Sequence, residues 1–428
     1  MTPAQLLFVN AGQVVTCAGP GRGRRGPEMA DAVVRTGVGV LVTAGTITSV
    51  DDERTLRRGG AGATEVDCAG GVLTPGFVDS HTHAVFGRPR YSEQEQRAAG
   101  VPYMEMARRG GGIHASVRDL RTRSEDELYA LAEPRLRALA ASGITTVEVK
   151  SGYGLTLDDE LKTLRVVRRL AEILPMRILA TWLGAHEIPI EYRERGDGRR
   201  AYIDLLLHEM LPAVVRDSLA SFADVFCEPG VFTVDESREI LSAARASGLA
   251  IKLHADELVA GGGAELAGAM RAISADHLAA VSDGGIAALA ANDTVATLLP
   301  GTMLFLGKRD HAPARRLIDA GVPVALATDF NPGTSPTTNF PLVLTLGVSQ
   351  LRLSVAESLI AGTVNGAAAL GLADRVGQLA PGFSADIALW EVEDVRELPY
   401  WYGAGRCAAS WARGKPCHAH DLALGFHR

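Results

Sequence analysis

Apolar positions along the chain fall into short runs whose rhythm changes twice. Up to residue 73 the runs 5–9, 38–43, 46–50 and 64–67 are brief and separated by Gly and Asp turns, which predicts strands. A Gly-, Arg- and Pro-rich insertion spans 19–27. From 74 onward, strand-like apolar runs fall near 74–79, 144–149, 178–183, 223–227, 250–254, 272–276, 294–299 and 322–327. Between most of them lie helical patterns rich in Ala, Leu, Arg and Glu, such as 125–141, 158–174, 234–246 and 283–291. Past 372 the β texture returns in 386–390, behind the turn Pro381-Gly382. Eight strands with helical crossovers predict an α/β fold, a (β/α)8 TIM-type barrel over 74–372 whose active site forms at the strand C-termini. The flanking stretches, 1–73 and 373–428, predict one small β-sandwich domain built from both termini.

Composition narrows the class. The 428 residues are 47% hydrophobic and 22% charged, enough for a large core in a soluble chain. A formal net charge of −7 gives no general attraction to nucleic acid or to an anionic membrane. Arg22, Arg24 and Arg25, set among glycines, read as a solvated loop. Cys17, Cys68, Cys227, Cys407 and Cys417 are scattered and never form a CxxC pair, which fits a reducing cytoplasm rather than a disulfide framework. The start MTPAQLLFVN lacks the pattern of a signal peptide, and no apolar run is long enough to span a bilayer. A cytoplasmic protein is expected.

Polar residues punctuate the ends of the predicted barrel strands. His81 and His83 follow strand one, Lys150 strand two, His186 strand three, His254 strand five, His277 strand six and Asp329 strand eight. In His81-Thr82-His83 the alternation of an extended chain sends both imidazoles to one side, within reach of a single ion. Any one of these histidines alone is more often structural. As a set they repeatedly select the catalytic rim of one barrel. His81, His83, His254 and Asp329 make a borderline-hard ligand set suited to zinc or ferrous iron. Such an ion lowers the pKa of bound water to roughly 7, and Asp329 could accept a proton from that water. Glu257 lies three residues beyond His254 and is either a proton shuttle or a helix-start carboxylate. Arg90 could clamp a carboxylate or be solvated in its loop. Tyr153 sits in Ser151-Gly152-Tyr153-Gly154, where small neighbours admit a ligand. The loop 329–335, with Asn331, Gly333 and Thr334, offers backbone contacts to an anion.

Other patterns fail. His186-Glu187 does not continue to HExxH, because Ile190 stands at the second histidine position. The stretch 301–308 has the wrong spacing for a phosphate loop, and Arg309 follows it. His418-Ala419-His420 follows no apolar strand, and His114, His208, His311 and His427 lack a site context.

The motifs PGFVDSHTHAVFG, ARRGGGI, GITTVEVKSGYGL, LGAHEIP, DVFCE, KLHADEL, SADHL and ATDFNPGTSP extend from about residue 75 to 340. With the tail GLADRVGQLAPGFSADIALW, they closely resemble the imidazolonepropionase family of the amidohydrolase superfamily. SADH and HxH recur across amidohydrolases, whereas VEVKSGYGL, LGAH and ATDFNPGTSP are more specific to this family. The resemblance implies hydrolysis of the cyclic amide 4-imidazolone-5-propanoate to N-formimidoyl-L-glutamate by metal-activated water, a step of histidine degradation. It implies one zinc or iron ion per subunit, divalent or trivalent, held by His81, His83, His254 and Asp329. Substrate contacts then fall on Arg90, Tyr153, His186, Glu257, Asn331, Gly333 and Thr334, and His277 falls on the catalytic histidine, with Glu257 and Asp329 moving protons. Homodimers are implied too. Two departures stand out: Arg88-Pro89 precedes Arg90 where a Gly and a small or polar residue are usual, which could shift that loop, and the 19–27 insertion is unusual.

Rival readings share much of this site. A deaminase of a heterocycle would keep the ligands but would not need Arg90. A dihydroorotase-like enzyme would carry a lysine on strand four, where this chain has Cys227-Glu228. A scaffold that had lost catalysis would lack a ligand, and none is missing.

Overall fold

A computed structural model describes residues 5–101 and 111–419; part of ARRGGGI, His420 and His427 lie outside the described residues. Eight parallel strands follow one another in chain order: Phe77–Asp79, Ile144–Lys150, Arg177–Ala185, Phe222–Cys227, Ala250–Ala255, Ser274–His277, Val295–Leu298 and Val324–Leu326. The predicted helices lie at Glu125–Ala140, Leu157–Ile173, Val234–Ala246 and Asp283–Ala291. Their starts are written locally. Ser124 and Thr233 form capping boxes with Glu127 and Glu236, while Thr156 and Ser282 accept from the third backbone N–H of their helices.

The barrel closes where the chemistry sits. Strand one and strand eight meet through a Thr82–Phe330 bridge, with His83 N donating to Phe330 O at 2.8 Å and Asp329 N to His81 O at 3.0 Å. Just below, the Asp79 carboxylate accepts from Thr328 N at 3.0 Å and from Thr328 Oγ1 at 2.6 Å. The backbone bonds that close the cylinder therefore also fix the two ends of the candidate ligand set.

Two further sheets flank the barrel. Thr46–Asp52, Val38–Thr43, Gln5–Val9 and Thr64–Asp67 form one. Lys415–Ala419, Cys407–Ala412, Ile387–Trp390, Val72–Pro75, Gln13–Val15 and Val34–Arg35 form the other, which draws on both ends of the chain. Phe8, Val40, Ile47, Leu73, Ile387, Leu389 and Trp411 share one buried cluster between them. Phe8 meets the Trp411 edge at 4.9 Å, a favourable T-shaped contact.

Two expectations need correction. The run near 74–79 is not one strand: Val72–Pro75 pairs in the terminal sheet and Phe77–Asp79 in the barrel. The chain changes sheets at Gly76, where a Cβ would stand 2.2 Å from Thr145 Oγ1. The mark of that change in the sequence is the Pro75-Gly76 pair, a turn signal inside the run. Nor is the 19–27 insertion a solvated loop. Arg24 is buried, and the Asn365 side chain accepts from Arg24 N at 2.7 Å while donating to Arg24 O and Val324 O. Arg25 pairs with Asp293, and Arg22 with Glu28 at 2.7 Å. The insertion is thus docked against the barrel beside strand eight. Among the described residues, no helix is long and apolar enough to cross a membrane.

Candidate active site

Six side chains converge at the C-terminal rim. Asp329 Oδ1 lies 3.5 Å from His81 Nε2 and 3.7 Å from His83 Nε2. Ligands about 2.0–2.1 Å from a tetrahedral ion stand roughly 3.4 Å apart, close to these separations. The His254 ring is centred 4.5 Å from His81 and 5.6 Å from His83. His277 and His186 also approach: donor atoms of His81, His254 and His277 lie within 4.8 Å of one another, as do those of His83, His186 and His254. His81 Nε2 and His254 Nε2 are buried with no hydrogen-bond partner. Buried lone pairs left bare are costly unless something binds them. The residues present fit a metal ion.

Their electrostatics suit that use. Burial, reinforced by Lys150, holds the His81 imidazole far below its ordinary pKa. Burial and neighbouring histidines do the same for His83 and His277, and bring His186 down to about 3. These rings are neutral donors at physiological pH, whereas at His254 burial is outweighed by the Asp224 carboxylate, which raises that imidazole. Burial raises Asp329 to about 6, although Thr302 Oγ1 donates to its Oδ2 at 2.6 Å. The rim is also strained. His277 at φ +78°, Leu278 at +60° and Asp329 at +51° occupy the left-handed region, as non-glycine residues at functional sites often do.

Arg90 is nearly buried, with Nε 3.3 Å from Glu93 Oε2 and Nη1 donating to Ser116 Oγ at 3.2 Å. Its guanidinium rests on Gly333, where a Cβ would fall 1.5 Å from Nη2. Arg88 N donates to Asp119 Oδ2 at 2.9 Å, which pins the turn ahead of Arg90. Tyr153 is buried, its ring 5.8 Å from His83 and 5.5 Å from His186. His186 Nδ1 lies 3.0 Å from Gly152 O and so donates to it, leaving Nε2 for the cleft. Glu257 Oε2 is 3.6 Å from His277 Nδ1, and burial with the Asp329 charge raises its carboxyl to about 8. Asn331 is engaged within its own loop: Oδ1 accepts from Gly333 N at 2.8 Å and Thr334 N at 2.7 Å, and Nδ2 donates to Asp329 O at 2.7 Å. It shapes the loop on which Arg90 rests.

Lys150 does not reach the cleft. It lies beneath it, with Glu148, Asp224, Lys252 and Asp276, all fully buried inside the barrel. Of these only Lys150 stood out from the sequence, yet Glu148 sits two residues before it, on the same face of the strand. Supporting residues also escaped notice. Glu160 accepts from the backbone N–H groups of Gly152, Gly154 and Leu155 and so shapes the Tyr153 loop. Glu228 accepts from Glu257 N and Val259 N. Arg135 donates to the carbonyls of Ala84, Phe86 and Gly87. Thr302 came from a stretch dismissed as a failed phosphate loop, and His311 lines a small cavity beside His277.

Residues 90–416 match the Amidohydrolase family. The chain is 46% identical over 419 residues to an imidazolonepropionase of Symbiobacterium thermophilum, covering 97% of each. It is 45% identical over 415 residues to the imidazolonepropionase of Geobacillus kaustophilus, covering 96% of this chain and 97% of that one. The structure also resembles a zinc-bound adenosine deaminase from Xanthomonas campestris, with TM-score 0.68 and 19% identity over 98% of this chain and 95% of that one, a likeness of fold alone.

Proposed function

The chain belongs to the imidazolonepropionase family of amidohydrolases, and from that premise we propose that the histidine–carboxylate cluster at the barrel rim is its hydrolytic centre. The reaction is hydrolysis of the cyclic amide of 4-imidazolone-5-propanoate to N-formimidoyl-L-glutamate, a step of histidine degradation. The observation that carries the assignment to this cleft is the meeting of the donor cluster and a nearly buried arginine on one loop, with Asp329 at its start and Gly333 beneath Arg90.

His81, His83, His254 and Asp329 would hold the ion, zinc or iron, one per subunit. When bound, it supplies a Lewis acid and a water of lowered pKa. Asp329, its Oδ2 held by Thr302, orients the attacking water and takes a proton from it. Arg90 fixes the propionate in fork geometry. Tyr153 and His186 wall the ring, while His277 donates a hydrogen bond to the oxygen that gains charge as water adds to the lactam carbonyl. Glu257, with its carboxyl raised to about 8, holds a proton at neutral pH and delivers it to the departing ring nitrogen as the C–N bond breaks. Asn331, Gly333 and Thr334 keep the loop beneath Arg90 in shape. A homodimer completes the proposal, checked by sedimentation.

Glu257→Gln and His277→Ala test the division of roles. At equal metal content, each should lose about 10²–10⁴-fold in turnover. Near-normal turnover in either variant with metal bound would refute its assigned part.

A further inference from the structure

Inside the barrel, directly beneath the candidate ligands, the structure places charges where such barrels ordinarily stack branched aliphatic side chains. Glu148, Lys150, Asp224, Lys252 and Asp276 are each 0–1% exposed. Lys150 Nζ lies 2.9 Å from Glu148 Oε1, 2.8 Å from Asp224 Oδ2 and 3.6 Å from Asp276 Oδ2. Lys252 Nζ donates to Ser80 O at 2.8 Å and Glu148 Oε2 at 3.0 Å, and stands 3.9 Å from Asp276 Oδ2. Taking these groups out of water is costly, and an apolar filling of similar volume often serves stability as well. Packing alone does not account for them.

What distinguishes the group is where its carboxylates point. Asp276 Oδ2 lies 2.6 Å from His81 Nδ1, and Asp224 Oδ2 lies 3.0 Å from His254 Nδ1. Asp224 Oδ1 accepts from the His254 backbone N at 3.1 Å, and Ser274 Oγ donates to Asp276 Oδ1 at 2.7 Å, so neither carboxylate is free to turn. A carboxylate facing a ring nitrogen accepts, so that nitrogen carries the proton and the opposite one is left bare. The opposite nitrogens, His81 Nε2 and His254 Nε2, are buried without partners, and the nearest acceptor to His254 Nδ1 is Asp224 Oδ2, close in distance but off the line of an ideal hydrogen bond.

We propose that Asp276 and Asp224, tied together by Lys150 and Lys252, are positioning residues that fix His81 and His254 with Nδ1 protonated and Nε2 free for a metal ion. Partners of this kind beyond the ligands set ring tautomer and orientation, and their loss typically costs 10–100-fold in metal affinity. The inference rests on the reading of His81 and His254 as ligands. Because Lys150 approaches both aspartates, a disturbance at one ring reaches the other.

The test uses the full-length protein and its Asp276→Asn, Asp224→Asn and Ser274→Ala variants. Zinc affinity is read by competition with a chromophoric chelator, and ligand geometry by the visible bands of the cobalt-substituted protein. The expected result is about 10- to 100-fold weaker zinc binding in each aspartate variant, shifted cobalt bands, and a smaller loss in Ser274→Ala. Ser274→Ala keeps every buried charge, so it reports even where an aspartate variant fails to fold. The tautomers are read independently from the ring ¹⁵N shifts of His81 and His254 in the unmutated protein, where Nδ1–H is expected. Tight zinc binding by the unmutated protein with affinities and cobalt bands unchanged in the variants would overturn this inference alone, as would an Nε2–H tautomer at either ring. An unmutated protein that binds no zinc or cobalt would overturn the metal reading itself, and the inference with it.

Discussion

Replacing Gly333 by Ala is a small change with a defined target. Gly333 does not occupy the left-handed region, so an alanine there is not strained by its backbone. Its Cβ, however, would fall 1.5 Å from Arg90 Nη2, 2.1 Å from Cζ and 2.6 Å from Nε. An ordinary contact needs about 3.5–4.0 Å, so the guanidinium must withdraw by roughly 2 Å. Arg90 can swing away at its flexible end, and the fold should lose little. A carboxylate held by that guanidinium would lose a charge-assisted bond worth about 1.5–3 kcal/mol. At 1.36 kcal/mol per tenfold, kcat/KM for a propionate-bearing substrate should fall roughly 10- to 150-fold. The assay compares steady-state kinetics and Tm of Gly333→Ala, Arg90→Ala and the double variant. Because both single changes remove the same contact, the double variant should be little worse than Arg90→Ala. Kinetics within threefold of the unmutated enzyme, or losses that multiply in the double variant, would refute the clamp.

Two further outcomes follow from the buried groups. In the proposed roles Glu257, raised to about 8, acts protonated and Asp329, raised to about 6, acts ionised, so kcat/KM should hold between about 6 and 8 and fall about tenfold per unit above that window; a profile that stays flat to pH 10 would contradict the Glu257 assignment. Lys150→Met leaves Glu148 and Asp224 buried without their shared ammonium and should cost about 3–5 kcal/mol in denaturant unfolding, whereas a loss under 1 kcal/mol would show that the charges are not mutually dependent.

The barrel was legible because its strands announce themselves as apolar runs and its helices carry their own caps at Ser124, Thr156, Thr233 and Ser282. The rim residues were legible because each ends such a run. What lay beneath them was not. Asp224, Lys252 and Asp276 sit inside strands, where the alternation that turns one side chain inward is masked by apolar neighbours on both sides. Their partnerships join different strands, across separations in sequence that no local pattern records. The switch of sheet at Gly76 and the docking of Arg24 against Asn365 depend likewise on what the fold brings alongside. Arg90 was a candidate from the sequence, but its seat on Gly333 emerges only when the first and last barrel strands meet.

In the proposed reaction this cluster hydrolyses a ring amide whose carboxylate Arg90 holds. Its most direct test is turnover of freshly generated 4-imidazolone-5-propanoate by metal-analysed protein, alongside Arg90→Ala. The unmutated enzyme should form N-formimidoyl-L-glutamate, and the variant should lose about 10- to 150-fold in kcat/KM. Failure to turn over this compound with the metal site fully loaded would contradict the proposal.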